Sequence, residues 1–224
     1  MDWFPLLNSL RVALISTVIV FFPGLFAAHR IMRLSPSPGK IAWEAVLTLP
    51  LVLPPPAVGW LILQAFGPRH MIGYWARELF DIRLVMTRPA AVLASALVSF
   101  PLMYRAARTA LERFDPDIAD AARTLGRSEA WIFWNVQLPV CGHGVAAAAV
   151  LAFARALGEY GATVMAAGYT PGSTATVGAA IYQSWSRGDD AGALTWVLLS
   201  AVLSAVCLSA VSAMEQSARG GGRP

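Results

Sequence analysis

Long apolar stretches alternate with short polar ones along almost the whole chain. A helix needs about 20 apolar residues to cross about 30 Å of hydrocarbon, and five stretches reach roughly that length with their charges mostly at the ends. These stretches are residues 11–28, 45–66, 84–104, 143–165 and 191–213. The pattern predicts an all-α protein that crosses a membrane about five times.

The composition supports a membrane protein. Apolar residues make up 57% of the 224 residues and charged residues 13%, and the mean hydropathy is +0.57. Such a chain has too few polar side chains to coat a soluble globule. The net charge of +4 is basic, but the cations are scattered between the apolar stretches and form no stripe, which argues against a nucleic-acid partner.

The distribution of Lys and Arg predicts the orientation, because cationic connections stay in the cytoplasm. Ten of the 17 Lys and Arg residues lie in residues 29–44, 105–142 and the C-terminal tail, whereas four lie in the alternate connections. We therefore expect residues 1–10 outside, a single transmembrane domain over 11–213, and a cytoplasmic tail over 214–224.

The connection over residues 105–142 is too long for a turn and carries five Arg and five acidic residues. Its sequence predicts two short helices joined at a glycine that takes a left-handed conformation. Polar residues that cap helices and a proline that ends one mark the boundaries. These boundary residues are Asp115 or Asp117, Gly126, Ser128 and Pro139.

The same connection resembles the "EAA" loop of bacterial ABC-importer permeases. That loop has Glu-Ala-Ala, three residues, Gly, nine residues, and Ile-x-Leu-Pro, and this chain matches the spacing with Asp for Glu and Val for Ile. The resemblance implies that the loop forms coupling helices held by a separate ATPase. The residues assigned to coupling are Asp120, Ala121, Ala122, Gly126, Leu138 and Pro139.

Residues 49–63, 100–111 and 153–172 look like the molybdate branch of these permeases, as do the short length and five spans. The resemblance implies a type I ABC importer permease in a bacterial cytoplasmic (inner) membrane. It also implies a second copy of the chain, two cytoplasmic P-loop ATPase subunits that bind ATP and Mg, and an extracytoplasmic oxyanion-binding protein. The chain itself has no P-loop, since Lys40 is followed by Ile41.

Alternatives stay open at this point. Tungstate and sulfate are tetrahedral dianions like molybdate, and the spanning residues do not rank them. A secondary transporter or channel that needs no ATPase is the rival class, although no inverted repeat is evident. We predict no catalytic residue, cofactor or metal in this chain, because its histidines are dispersed and Cys141 with His143 makes too few ligands.

The second stretch contains Pro54, Pro55, Pro56 and Gly59, which interrupt helical hydrogen bonding. In lipid, the freed backbone groups need partners, so this stretch is expected to face protein or a cavity. A helix that resumes at Ala57 presents free N–H groups to an anion on the translocation path. The alternative is a kink that serves only packing.

Arg155 and Glu159 are charges deep in the fourth stretch, and their i, i+4 spacing predicts one helix face. They either lock helices or a dimer interface together, or they form part of the oxyanion path, with Glu159 keeping binding weak. On the outer side, residues 168–190 contain a helix-like run, Val177 to Trp185, expected to dock the binding protein, gate the path or form a plain loop. Asp190 is expected to cap the last span.

Overall fold

The computed structural model describes residues 2–220, and every regular element in that part of the chain is helical. The expected tail over 214–224 therefore lies partly outside the described residues. A π-helical turn, Phe133–Gln137, lies between the short helices that end at Ile132 and begin at Leu138. The helices are α1 (Phe4–Met32), α2 (Pro38–Val52), α3 (Pro55–Phe66), α4 (Met71–Phe80), α5 (Arg88–Glu112), α6 (Pro116–Thr124), α7 (Glu129–Ile132), α8 (Leu138–Val140), α9 (Gly142–Leu157), α10 (Gly161–Ala167), α11 (Val177–Ser186) and α12 (Asp190–Gly220).

In the described residues, three helices are each long and apolar enough to cross a membrane: α1, α5 and α12. Two bent pairs of helices are also long and apolar enough when each pair is counted as one span. The α2–α3 pair bends by 106°, and the pair formed by Glu129–Val140 and α9 bends by 76°. The prediction of about five spans agrees with this count only if both bent pairs cross.

The second and fourth predicted stretches are broken where continuous helices were expected. Between α2 and α3, Leu53 and Pro54 have extended backbones, and the helix resumes at Pro55, two residues before the expected Ala57. In the fourth stretch α9 ends at Leu157 and α10 begins at Gly161. Residues 158–160, which we call the helix break, separate them. The prediction of one continuous helix is therefore wrong, whereas the predicted pairing of Arg155 with Glu159 is present at 2.8 Å.

The core consists of α1, α5 and α9 packed together, with α3 and α10 against the other end of α5. Small side chains dominate these contacts, among them the fully buried Ala91, Ala94, Ala148 and Ala162. Small residues let helix backbones approach closely, which is how helices associate in lipid. This packing fixes α10, and with it the helix break, against α3.

The expected helical run after residue 168 is present as α11, which packs on α1 and α12. The Asn8 amide donates to the carbonyl of Ala175 at 2.9 Å, and the Ser9 hydroxyl accepts the N–H of Val177 at 2.8 Å. The predicted cap of α12 is wrong by one residue. Asp189 and not Asp190 accepts the N–H of Gly192, at 2.9 Å, since it lies just before the helix.

Candidate functional site

The coupling segment, residues 115–140, begins as its sequence predicts. Of the two candidate caps, Asp115 is the one used, and its carboxylate accepts the N–H of Asp117 at 2.9 Å. Pro116 occupies the first turn of α6, where its missing N–H costs no hydrogen bond. The first part of the expected motif, Asp120, Ala121 and Ala122, therefore lies on a short helix at the surface.

The turn after α6 has the expected left-handed glycine. Gly126 has φ +74°, and a Cβ added there would meet nothing within 4 Å. Only the backbone conformation therefore calls for glycine at this position. The next helix starts at the predicted cap, because the Ser128 hydroxyl accepts the N–H of Trp131 at 3.3 Å.

Pro139 does not end the second helix of the segment, which corrects the prediction. The chain passes through α7, the π-helical turn and α8, and its direction changes only at Cys141. Pro139 lies in the first turn of α8, a position that tolerates a residue without an N–H. Leu138 beside it is half-buried against the core of α1, α5 and α9, so this end of the segment is anchored.

Ion pairs join the two halves of the coupling segment. Arg123 donates to Asp120, and its Nε donates to Glu129 Oε1 at 2.6 Å. From the end of α1, Arg33 reaches the other oxygen of Glu129 at 2.8 Å. The hydrogen bond from Arg123, together with the charge of Arg33, lowers the pKa of Glu129 below its ordinary value. The carboxylate thus stays ionised at any physiological pH.

The coupling segment also exposes apolar side chains. Leu125 is 79% exposed, and Ile118, Trp134 and Val140 are exposed as well. Exposed apolar side chains framed by ion pairs are typical of a protein interface. The structure thus presents the predicted coupling residues on a partly apolar surface.

The second group of predicted residues meets at the helix break. Glu159 Oε2 accepts a hydrogen bond from Arg155 at 2.8 Å, and its Oε1 accepts the N–H of Ala162 at 2.7 Å. The Glu159 side chain is 1% exposed, whereas that of Arg155 is 29% exposed. One carboxylate therefore binds a cation from α9 and also a backbone N–H in the first turn of α10, so it holds the two sides of the break together.

The predicted prolines and glycine of α3 pack against the start of α10. A Cβ added at Gly161 would lie 2.9 Å from Pro56 Cδ and 3.1 Å from Pro55 Cβ. A Cβ added at Gly59 would lie 2.7 Å from the carbonyl oxygen of Ala162, so the two backbones nearly touch. Pro54 is the residue before α3, and its carbonyl accepts the N–H of Ala57 at 2.8 Å.

Sequence reasoning missed several residues around the break. The ring of Tyr160 lies 5.9 Å from that of Tyr182, and a Cβ at Gly178 would lie 2.8 Å from Tyr160 Cβ, so α11 folds over the break. Arg88 donates to the carbonyl groups of Ser173 and Gly172, which ties the loop between α10 and α11 to α5. These contacts join residues far apart in the chain, and no local pattern signals them. In the described part of the chain, no cluster of potential metal ligands occurs.

Helices interrupted within apolar stretches, beside a buried carboxylate that pairs with an arginine, are typical of membrane transport proteins. Residues 8–220 match the family "Binding-protein-dependent transport system inner membrane component", and the chain belongs to that family. It is therefore a multi-pass inner-membrane component of a transporter, and the prediction that it is a permease subunit and not an enzyme is confirmed.

The chain is similar to named permeases over most of its length. It is 39% identical to the molybdenum transport system permease protein ModB of Escherichia coli (strain K12), over 92% of this chain and 90% of that protein. It is also 39% identical to the putative molybdenum transport system permease protein YvgM of Bacillus subtilis (strain 168), over 91% and 89%. Identity to the sulfate transport system permease protein CysW of Synechocystis sp. is 32%, over 92% and 74%.

Among solved structures, the fold is similar to an inward-facing conformation of the MetNI methionine ABC transporter. The TM-score is 0.72 at 17% identity, and the match covers 100% of both chains. The chain thus has the fold of type I ABC importer permeases, as its sequence predicted.

Proposed function

We propose that this chain is the permease subunit of an ATP-driven molybdate importer. It forms the oxyanion path and couples that path to a separate ATPase. The observation that carries the proposal is the 39% identity, across nine-tenths of the chain, to molybdenum permeases of two distantly related bacteria. Identity to the sulfate permease is lower, at 32%, which favours molybdate over sulfate.

Coupling rests on the contacts within the coupling segment. Ion pairs join α6 to α7, Arg33 joins both to the end of α1, and Leu138 packs on the core. An ATPase subunit that grips the exposed apolar side chains and moves on binding ATP displaces the segment as one body. The helices continuous with it convert that displacement into a change of access.

For the path itself, Arg155, three residues before the helix break, supplies a cation near the middle of the fourth stretch. The carboxylate of Glu159 holds Arg155, and the 29% exposure of Arg155 leaves donors free for an oxyanion. A guanidinium already paired with a carboxylate attracts an anion weakly, and weak binding suits release during transport. The N-terminal turns of α3 and α10 pack against each other next to this pair, and Glu159 already occupies the positive end of α10 by accepting the N–H of Ala162.

The complete transporter in this proposal contains two copies of the chain, two P-loop ATPase subunits that bind ATP and Mg, and an extracytoplasmic oxyanion-binding protein. The N-terminus faces outward and the C-terminus inward, which puts the coupling segment in the cytoplasm. The surface formed by α11 and the loop that Arg88 holds then faces the binding protein. The exposed apolar side chains of α12 face lipid or the second copy.

The test is reconstitution. The chain is co-purified with the candidate ATPase and binding protein, placed in proteoliposomes, and assayed for ATP hydrolysis and uptake with molybdate, tungstate or sulfate. Molybdate should stimulate ATP hydrolysis. It should also be taken up at lower external concentrations than sulfate. Liposomes without the ATPase are the control. Uptake by the chain alone would instead identify a secondary transporter or channel, and preferential stimulation by sulfate or tungstate would change the substrate.

A further inference from the structure

A groove of about 630 Å³ lies between the C-terminal half of α1 and the segment α7 with its π-helical turn. One end of the groove is apolar, with walls formed by Phe22, Phe26 and Trp134. The other end is polar and contains Arg30 and Arg33. The groove thus borders the coupling segment, to which Trp134 belongs, but it contains no residue of the helix break or of the six-residue motif assigned to coupling.

The residues of α1 predict that the groove lies at the boundary between hydrocarbon and headgroups. Phe22 and Phe26 belong to the apolar part of α1, and they are 61% and 60% exposed. Arg30 follows Phe22 by eight residues, which is about 12 Å along a helix. An apolar wall that gives way to a cation over that distance matches the passage from lipid chains to the phosphate layer.

The charges at the polar end leave one cation unneutralised. Glu129 also lines the groove, but Arg33 and Arg123 bind its two oxygens. Within residues 2–220, Arg30 forms no ion pair with a carboxylate, and its guanidinium lies 5.0 Å from the centre of the Phe26 ring. The groove is therefore complementary to an amphiphile with one apolar part and one anionic group.

We propose that this groove binds an anionic phospholipid, with its phosphate at Arg30 and an acyl chain along Phe22 and Phe26. Basic pockets beside membrane helices bind the headgroups of such lipids. A soluble anion gains nothing from the aromatic wall. The proposal does not depend on the transported substrate, so it can fail while the proposed function stands.

Native mass spectrometry of the purified chain in detergent tests the proposal. The protein is incubated with equal amounts of phosphatidylglycerol and phosphatidylcholine, and the lipid retained per chain is counted. The wild type should retain phosphatidylglycerol preferentially. Arg30→Gln should weaken its binding about five-fold, the effect of one cation at an anionic membrane surface, whereas Arg30→Lys should preserve it.

The matched control is Arg113→Gln. Arg113 is exposed and lies outside the groove, so this variant loses the same charge without the proposed contact. Equal retention of the two lipids by the wild type overturns the proposal. So does equal weakening by Arg30→Gln and Arg113→Gln, which identifies a diffuse charge effect in place of a site.

A second measurement locates the acyl chain. Phosphatidylglycerol with brominated acyl chains quenches nearby tryptophan fluorescence, and Trp134 lines the groove. The quenched fraction should fall in Trp134→Phe, and water-soluble glycerol phosphate should not compete with the lipid. Quenching that is unchanged in Trp134→Phe, or competition by glycerol phosphate, overturns the proposal. A cross-link between two copies through Phe22→Cys that prevents lipid binding also overturns the proposal, because a second copy then covers the groove.

Discussion

The coupling segment and the region around the helix break each have an Arg–carboxylate pair close to a glycine. The surroundings of the two pairs are opposite. In the coupling segment, Arg123 and Glu129 are both exposed at their ion pair. At the break, Glu159 is almost completely buried, and Arg155 is its cation. The same pair of charged groups should therefore contribute differently to the stability of the folded state in the two regions.

The glycines differ in the same way. Gly126 is needed for its backbone conformation alone, since its surroundings are empty, whereas Gly161 is needed because Pro55 and Pro56 lie where a side chain would be. The coupling segment keeps its shape through local conformation and exposed charges, as suits a surface that docks with a partner. The break keeps its shape through close packing and a buried charge, as suits a path inside the membrane.

Removing Glu159 should produce the largest effect. Glu159→Leu leaves Arg155 without its carboxylate and the N–H of Ala162 without an acceptor. Breaking a buried pair in this way costs about 3 kcal/mol or more, so the apparent Tm of the purified chain in detergent should fall by several degrees. Thermal unfolding followed by fluorescence measures the shift.

Glu129→Leu is the matched control, since it removes an exposed carboxylate, and its Tm should change much less. Similar Tm losses in the two variants would remove the distinction between the regions. Glu159→Gln keeps an acceptor for Ala162, and with assembly intact it should alter molybdate uptake in proteoliposomes. Normal uptake by this variant would exclude Glu159 from the mechanism.

The coupling segment could be predicted from sequence because its determinants are local. The cap at Asp115, the left-handed turn at Gly126 and the cap at Ser128 each depend on residues within a few positions. The ion pair between Arg33 and Glu129 spans 96 positions and has no local signal. Sequence therefore predicted the helices of the segment but not their attachment to α1.

The helix break was predicted only in part, because only some of its determinants are local in sequence. Its charged residues stand out in an apolar stretch, and Pro55, Pro56 and Gly59 signal an interruption in α3. The interruption at residues 158–160 has a weaker signal, because an i, i+4 pair is equally compatible with a continuous helix. The break is stabilised by the contact between α3 and α10, which lie about 100 residues apart in the chain.

Gly126→Val should have an intermediate effect. A β-branched residue at φ +74° is strained by about 1–2 kcal/mol, which favours a different turn and shifts α6 relative to α7. Molybdate-stimulated ATP hydrolysis by the reconstituted complex should fall sharply, whereas Gly126→Asn should retain most of it, because Asn tolerates this conformation.

Gly188 provides the matched control for this variant. It has φ +76° and equally empty surroundings, but it lies between α11 and α12, away from the coupling segment. Gly188→Val therefore introduces the same strain. Because Gly188 borders the surface proposed to face the binding protein, the two variants are compared by ATP hydrolysis measured without that protein, which Gly188→Val should leave near the wild-type rate. Parental hydrolysis and uptake in Gly126→Val would show that this turn plays no part in coupling.

Glu129→Gln should have the smallest effect, and its pH dependence sharpens the comparison. Arg123 and Arg33 lower the pKa of Glu129 below its ordinary value of 4.5. The ion pairs therefore stabilise the folded state above pH 4.5. This stabilisation is lost as the pH falls through the lower pKa of the folded state. The difference in apparent Tm between wild type and Glu129→Gln should be small, since both partners are exposed, and constant from about pH 8 to pH 5. It should shrink only below about pH 4.5 and decrease with added salt, because exposed charges are screened. Unfolding curves for both proteins across this pH range give the difference directly. A difference that changes between pH 8 and pH 5 would mean that Glu129 titrates there and is not held ionised by Arg123.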